Sequence, residues 1–410
     1  MLKRLFSSKF VFMLLIASII LAVIVSKGGI AKNEPEVLEV SRMYPIVDLS
    51  ATLQERISVM RFGPTDASRI YGYSLWAADV AFRESKGDHK VIASAGAYVA
   101  NHLVDSTVMS NEMQAFKDRH GVIANSAEDE KGNEIGKKII EKAEQDGYAT
   151  NSGELALNQK FQALPKDYQW VPTGTGDGAL DPAFANLYPL VEEVNNCTLN
   201  IPTVDTVNKE GIAMYKSFDP KNAVGLDVLW WLAGTGTSTP TGYWLRITNF
   251  LIKDQAIEEA KASELIGKVA MADFDAAIML WKFKYGVNLL RPETLWKNLY
   301  GAPVNKLPRD TPNHPSFPSG HSGFSSSAGN IIIRMLGNVP LRDQLPPDLY
   351  AKAWTREWPS VTAAIQESSM SRINAGFHYP IDTAAGEMLG RCIADRVDKG
   401  YAEISSEVVK

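Results

Sequence analysis

Along this chain the apolar positions change period only a few times, and each change marks a segment. The opening MLKRLFSSK carries Lys3, Arg4 and Lys9, and FVFMLLIASIILAVIV then runs from Phe10 to Val25 without a charge. Sixteen such residues suit the core of a signal peptide better than a full bilayer span, which takes about 20. Gly29 and Ala31 are small residues at the two positions a signal peptidase reads, so cleavage after Ala31 is expected, with an uncleaved N-terminal membrane anchor as the alternative. Either outcome exports the rest of the chain, which is expected to be periplasmic or secreted. No later segment is apolar over a length that would span a bilayer.

From residue 64 the spacing is helical. Pro64-Thr65-Asp66 is a start signal, and Ile70, Tyr73, Leu75, Ala77, Val80 and Phe82 supply a broad apolar face behind it. Residues 90–109 are rich in small side chains, as closely packed helices require, and 126–146 predict a charged, exposed amphipathic helix. LPKDYQWVPTGTGDGALDPAFANLYP (164–189) then reads as an extended loop. The TGTGDG inside it follows no strand and opens no helix, so turn chemistry explains it better than phosphate binding. Helical signals resume near 208 and run to about 295, broken by AGTGTSTPTG at 233–242. A second irregular stretch (300–320) leads into a helix from about His321 to Leu336, and GNVPLRDQLPPDLY reads as a further loop before the last helices. The predicted class is all-α: a large architecture of two packed helical bundles with long irregular loops. Its parts are a leader (1–31), an N-terminal helical half (32–205) and a C-terminal helical half (206–410).

Composition narrows the partners. A net charge of −5 provides no basic stripe, which argues against nucleic acid. Cys197 and Cys392 are the only cysteines, so there is neither a disulfide framework nor a thiolate metal site, and whether the two pair stays open. Self-association into a homo-oligomer is equally open.

Histidine is where the chain becomes unusual. Three of its six histidines fall in the last hundred residues, two of them in HPSFPSGHSGF (314–324). Three stretches there share one kind of equipment. In WKFKYGVNLLRPETLW, Lys284 and Arg291 are seven residues apart, which on a helix puts them on one face about 10 Å apart, beside Trp281, Tyr285 and Trp296. In PSFPSGHSGF, Ser319 and Gly320 precede a helix whose free amides can cradle an anion, with His321 in its first turn. In SRINAGFHYPIDTAAG, Pro380 fits the first helical position, so Asp382 can reach back to His378 and fix its protonated nitrogen, while Arg372 adds a third cation. Three cations, two helix starts and two histidines suit a tetrahedral or trigonal-bipyramidal oxyanion.

In order, the residues are Lys284, Arg291-Pro292, Pro318-Ser319-Gly320-His321, Ser371-Arg372, His378 and Asp382. This resembles the complete signature shared by the phosphatidic acid phosphatase type 2 superfamily and the vanadium-dependent haloperoxidases. DAAIMLWKFKYGVNLLRP (275–292), GYWLRITNFL (242–251) and YGYSLWAADVAF (71–82) look like bacterial members of the haloperoxidase branch. The resemblance implies a vanadate cofactor held by Lys284, Arg291, Arg372, Ser319 and Gly320, with phosphate as the occupant when vanadate is missing. It implies His378 as the vanadium ligand, oriented by Asp382, and His321 as the acid–base group. The implied reaction turns hydrogen peroxide and a halide into hypohalous acid, which halogenates a small organic acceptor. His314 stands where bromide-oxidising members of the family carry His, and Trp281 matches an aromatic site-lining position, so the pair favours bromide or iodide. His321 is followed by Ser322-Gly323 where many haloperoxidases have Ala-Thr, which puts substrate preference in doubt more than the site. The same residues could serve a soluble exported acid phosphatase, with His378 as nucleophile through a phosphohistidine and His321 as acid. A non-catalytic anion-binding protein would have no need of the oriented His378–Asp382 pair.

Overall fold

Proline and small polar residues set where the helices begin. In a computed structural model that describes residues 44–149, 164–173, 178–301, 311–345 and 354–410, α1 (Pro45–Met60) and α2 (Pro64–Ser85) both start on proline, whose missing N–H costs nothing there. Asp88, Ser106 and Ser126 cap α3 (His89–Leu103), α4 (Thr107–Arg119) and α5 (Ala127–Glu144) through side-chain oxygens. After the irregular stretch come α6 (Val204–Ser217), the single-turn α7 (Leu226–Trp230), α8 (Thr239–Asp254) and α9 (Glu259–Val287). The C-terminal elements are α10 (Pro292–Tyr300), α11 (Gly320–Leu336), α12 (Val361–Asn374) and α13 (Pro380–Glu407). The expected leader with its expected cleavage site, and most of the TGTGDG turn, lie outside the described residues.

The all-α expectation holds, with one local exception. Residues 341–345 are not loop but strand β1, paired antiparallel with β2 (Trp354–Trp358) from Leu341↔Trp358 to Leu345↔Trp354. LRDQL hides its alternation because the inward middle position is an aspartate. Asp343 is buried there and is satisfied by Arg246, at 2.6 and 2.7 Å.

α9 is apolar on nearly every face and runs through the core, against α2 and α1 on one side and α8, α11 and α13 on others. The N- and C-terminal halves therefore share packing along α9. α5, predicted as an exposed charged helix, does bury one face: Ile135, Ile139 and Ile140 are covered, and Gly132 and Gly136 let it approach α3. α11 and α13 meet almost backbone to backbone. A Cβ on Gly386 would sit 2.5 Å from the Ser319 carbonyl oxygen, and one on Gly390 would sit 2.3 Å from that of Gly323.

The long irregular segments are pinned, as a helical fold with such loops demands. Leu190 and Val191 donate their amides to the buried Asp275 carboxylate, at 2.7 and 3.0 Å. Leu180 bonds the Asn313 carbonyl, and Gln169 bridges Leu289. Cys197 and Cys392 form a disulfide that ties the end of this segment to α13. Among the described residues, no helix is long and apolar enough to cross a membrane.

Candidate active site

The two halves of the first motif converge by a turn of the chain, not along a helix face. α9 stops at Val287, where Asn288 takes a left-handed conformation (φ 54°), and the pre-proline residue Arg291 is extended (φ −80°, ψ 156°) as the N-cap of α10. The seven-residue spacing therefore does not put Lys284 and Arg291 on one stripe. Lys284 stays in the last turn of α9 and donates Nζ to the carbonyls of Pro315 (3.0 Å), Ser316 (3.2 Å) and Pro318. All three of its N–H bonds are spent on shaping the loop that leads to Gly320. Arg291, fully buried, donates Nε to the His314 carbonyl (3.0 Å) and Nη1 to the Phe377 carbonyl (2.8 Å). Its Nη1 and Nη2 also meet His378 Nε2 (3.1 Å) and His314 Nδ1 (3.0 Å).

The two helix starts behave differently. Tyr379 caps α13, and Asp382 Oδ2 accepts from the Tyr379 amide and from His378 Nδ1, both at 3.1 Å. Glu210 takes the Ile381 amide at 2.9 Å. The start of α13 is thus satisfied from within and offers no anion cradle, contrary to the expectation of two. The start of α11 does offer one. Ser319 caps it through its hydroxyl and bonds the Asp382 carbonyl through its amide (2.9 Å), while the amides of Gly320 and His321 have no partner among the described residues.

Arg372 closes the set from the last turn of α12, donating to Ser371 Oγ (3.0 Å) and to the Val228 carbonyl (3.2 Å). With Gly320, His321 and His314 it faces a cavity of about 350 Å³ whose walls include Leu180, Leu232, Pro240, Trp281, Phe324 and Phe377. Trp281 and His314, paired by position in the sequence, are in contact at 5.3 Å between ring centroids. Lys284, Arg291, Ser319, His378 and Asp382 lie just behind this lining.

Obligate donors and acceptors fix the three imidazoles. His378 gives Nδ1–H to the carboxylate and receives Arg291 at Nε2, so Nε2 carries the lone pair. His314 Nδ1 also lies 3.2 Å from the Pro315 carbonyl, but a guanidinium can only donate. The shorter, charge-assisted Arg291 contact therefore decides, and the His314 proton sits on Nε2. His321 gives Nε2–H to the Leu232 carbonyl (3.2 Å), leaving Nδ1 as its basic nitrogen. Burial first, then the surrounding cations, hold all three rings well below the ordinary histidine pKa, so they are neutral at pH 7.

Charge is the feature that defines the site. Lys284, Arg291 and Arg372 are buried, and among the described residues none of them makes an ion pair with a carboxylate. Asp382 is bonded instead to His378, Tyr379 and Ser316. Burial pushes the guanidinium of Arg291 down to about 10 and that of Arg372 to about 9, and drives Lys284 well below its usual value. An unpaired buried charge costs several kcal/mol, and a bound anion of high charge would remove that cost.

Sequence reasoning missed Ser316, whose hydroxyl donates to Asp382 at 2.5 Å, and the carbonyls of Leu180, Leu232 and Phe377. The serine stands in plain view two residues after His314, but nothing in a sequence marks which serine faces a carboxylate. The backbone acceptors carry no side-chain signature at all.

Residues 264–406, which hold the whole constellation, match the family model of the VCPO second helical-bundle domain. The match is confined to the C-terminal part of the chain. Over a longer span the fold is similar to that of the first bacterial vanadium-dependent iodoperoxidase. The TM-score is 0.70 and the identity 20%, covering 89% of this chain and 96% of that one. A bacterial vanadium-dependent chloroperoxidase is similar in its apo and holo forms, with TM-scores of 0.65 and 0.64 and identities of 13% and 14%. Each covers 85% of this chain, and 95% and 94% of theirs respectively. No curated protein sequence matches.

Proposed function

We propose that this protein is an exported vanadium-dependent haloperoxidase. One observation carries the reading: among the described residues, three buried cations that make no direct ion pair lie with two unpartnered amides and the lone pair of a carboxylate-oriented histidine. The donor set fits vanadate, since the groups that would meet it are cations, N–H groups, the Ser319 hydroxyl and a neutral imidazole nitrogen. Arg291, Arg372, Ser319 and the Gly320–His321 amides would hold the oxygens, and His378 Nε2 would bind vanadium. Lys284 would contribute its charge and its hold on the 315–318 carbonyls. When bound, pentavalent vanadate supplies the Lewis-acid activation of peroxide toward halide.

The chain's own residues do the rest. Asp382 keeps the His378 proton on Nδ1, which leaves the lone pair on Nε2, where Arg291 Nη1 donates at 3.1 Å. His321, neutral and anchored to Leu232, can take a proton from peroxide at Nδ1 and return it to a leaving oxygen. The apolar walls limit water around a softly hydrated halide. His314 packs against Trp281, with ring centroids 5.3 Å apart, a pairing that favours bromide or iodide. The Cys197–Cys392 disulfide supports maturation in an oxidising compartment, periplasmic or extracellular, after the leader is removed.

The test uses the exported protein prepared without phosphate and assayed with and without orthovanadate. Peroxide-dependent bromination or iodination that appears only with vanadate is the expected result. Efficient hydrolysis of a phosphate ester that vanadate inhibits, without halogenation, would make the protein an acid phosphatase.

A further inference from the structure

Asp382 carries all of its side-chain hydrogen bonds on one oxygen. Oδ2 accepts from Ser316 Oγ (2.5 Å), the Tyr379 amide (3.1 Å) and His378 Nδ1 (3.1 Å), while Oδ1 is buried and accepts from none of the described residues. Two of those donors belong to the same short stretch as Asp382 and would follow the carboxylate if it rocked. Only Ser316 comes from a separate segment. Ser316 is itself immobile: it is fully buried, its amide bonds the Leu289 carbonyl at 2.8 Å, and its carbonyl receives Lys284 at 3.2 Å.

We infer that Ser316 is a positioning residue: acting through Asp382, its hydroxyl fixes the His378 ring with the proton on Nδ1 and the lone pair of Nε2 toward the oxyanion site. One serine so ties the loop carried by Lys284 to the histidine carried by α13. Without Ser316 the carboxylate can tilt away from the His378 ring, and Oδ1, which has no partner among the described residues, gives it no second anchor. With Ser316 in place, tilting breaks a short charge-assisted bond. The inference rests on the oxyanion reading above and adds a residue outside the eleven-residue motif.

Orthovanadate and inorganic phosphate separate this role from a merely structural one. Both anions meet the cations and the α11 amides, but only vanadium takes a bond from His378. In calorimetric titrations, Ser316→Ala is expected to lose about 10–100-fold in orthovanadate affinity, the usual cost of removing such an outer partner, with phosphate affinity unchanged. Ser316→Thr, which keeps the hydroxyl, should restore vanadate affinity. Imidazole nitrogen NMR of the anion-free protein should show a sharp, hydrogen-bonded His378 Nδ1–H signal in the wild type and a broadened, shifted one in Ser316→Ala. Equal orthovanadate affinity in wild type and Ser316→Ala, or parallel loss of both anions, would overturn the inference. If the alanine variant does not fold, Ser316→Cys, of similar volume and weaker donor strength, carries the same comparison. A wild-type protein that binds neither anion would instead refute the oxyanion reading itself.

Discussion

The site is held together by the close approach of α11 and α13, and Gly386 is where that approach can be tested. A Cβ at Gly386 would lie 2.5 Å from the Ser319 carbonyl oxygen and 2.9 Å from Ser322 Cβ, neither of which can swing away. Reaching an ordinary 3.4 Å contact requires the helices to part by about 0.9 Å. The Ser319 amide now bonds the Asp382 carbonyl at 2.9 Å, and the same displacement would take that bond beyond useful range. Overpacking of this kind costs about 1–3 kcal/mol and the lost bond about 1 more, so Gly386→Ala should destabilise by roughly 2–4 kcal/mol. It also moves the α11 amides away from His378. A misplacement near 1 Å is worth on the order of 100-fold in rate, more than the stability loss alone would take from a folded sample. Chemical denaturation and steady-state halide oxidation, measured on one preparation, supply both numbers. Gly400→Ala, farther along α13, meets only the Val191 side chain at 3.1 Å and serves as the control. A Gly386→Ala enzyme with wild-type rate and stability would show that this contact does not set the site geometry.

Four further outcomes follow from particular residues. Gly320→Ala should leave stability within about 0.5 kcal/mol, because its Cβ meets nothing closer than Lys284 Cε at 3.8 Å. The methyl would crowd the unpartnered amides, so oxyanion affinity measured by calorimetry should fall about tenfold, and unchanged affinity would remove those amides from the site. Orthovanadate at 100 times its Kd should stabilise the fold by about 2.7 kcal/mol, read as a rise in Tm, and no rise would contradict the uncompensated-cation argument. Asp275, raised by burial from 3.8 to about 7, binds its proton more tightly folded than unfolded. Stability should therefore fall as pH rises from about 4 to 7, by at most about 4 kcal/mol, and Asp275→Asn should flatten that slope in urea titrations; a flat wild-type profile would contradict it. His314→Phe should change the ranking of iodide, bromide and chloride in kcat/KM, whereas an unaltered ranking would leave His314 with a packing role only.

The sequence was most legible where function and local geometry coincide. Pro380 and Asp382 announce a helix start that points back at His378, and both distances agree with it. The same logic placed Ser319 and His321 correctly at the start of α11. It misled at Lys284 and Arg291, where helical spacing was right for a helix that ends between them. Asn288 and Pro292 are the signals of that break. Strand β1 was missed because a buried aspartate looks polar until Arg246, 97 residues away, is known to face it. Leu180 and Leu232 reach the cavity through tertiary placement, and no periodicity in their own segments points there.

The three histidines show why such a site has to be assembled from distant segments. They share burial and the charges of Lys284 and Arg291, with Arg372 acting on His321 besides, and all of these push the three rings the same way. What separates them is one hydrogen bond each. A carboxylate on α13 makes His378 a lone-pair donor at Nε2, a guanidinium from the α9–α10 turn makes His314 an N–H donor at Nε2, and a backbone carbonyl before α8 frees Nδ1 of His321. The nitrogen that carries the proton in each ring is thereby specified by partners from three different parts of the chain. Exchanging any one partner should change the tautomer of its histidine without changing the residue. The eleven-residue motif fixes which side chains are present, and the packing of α9, α11 and α13 decides which nitrogen of each histidine faces the site.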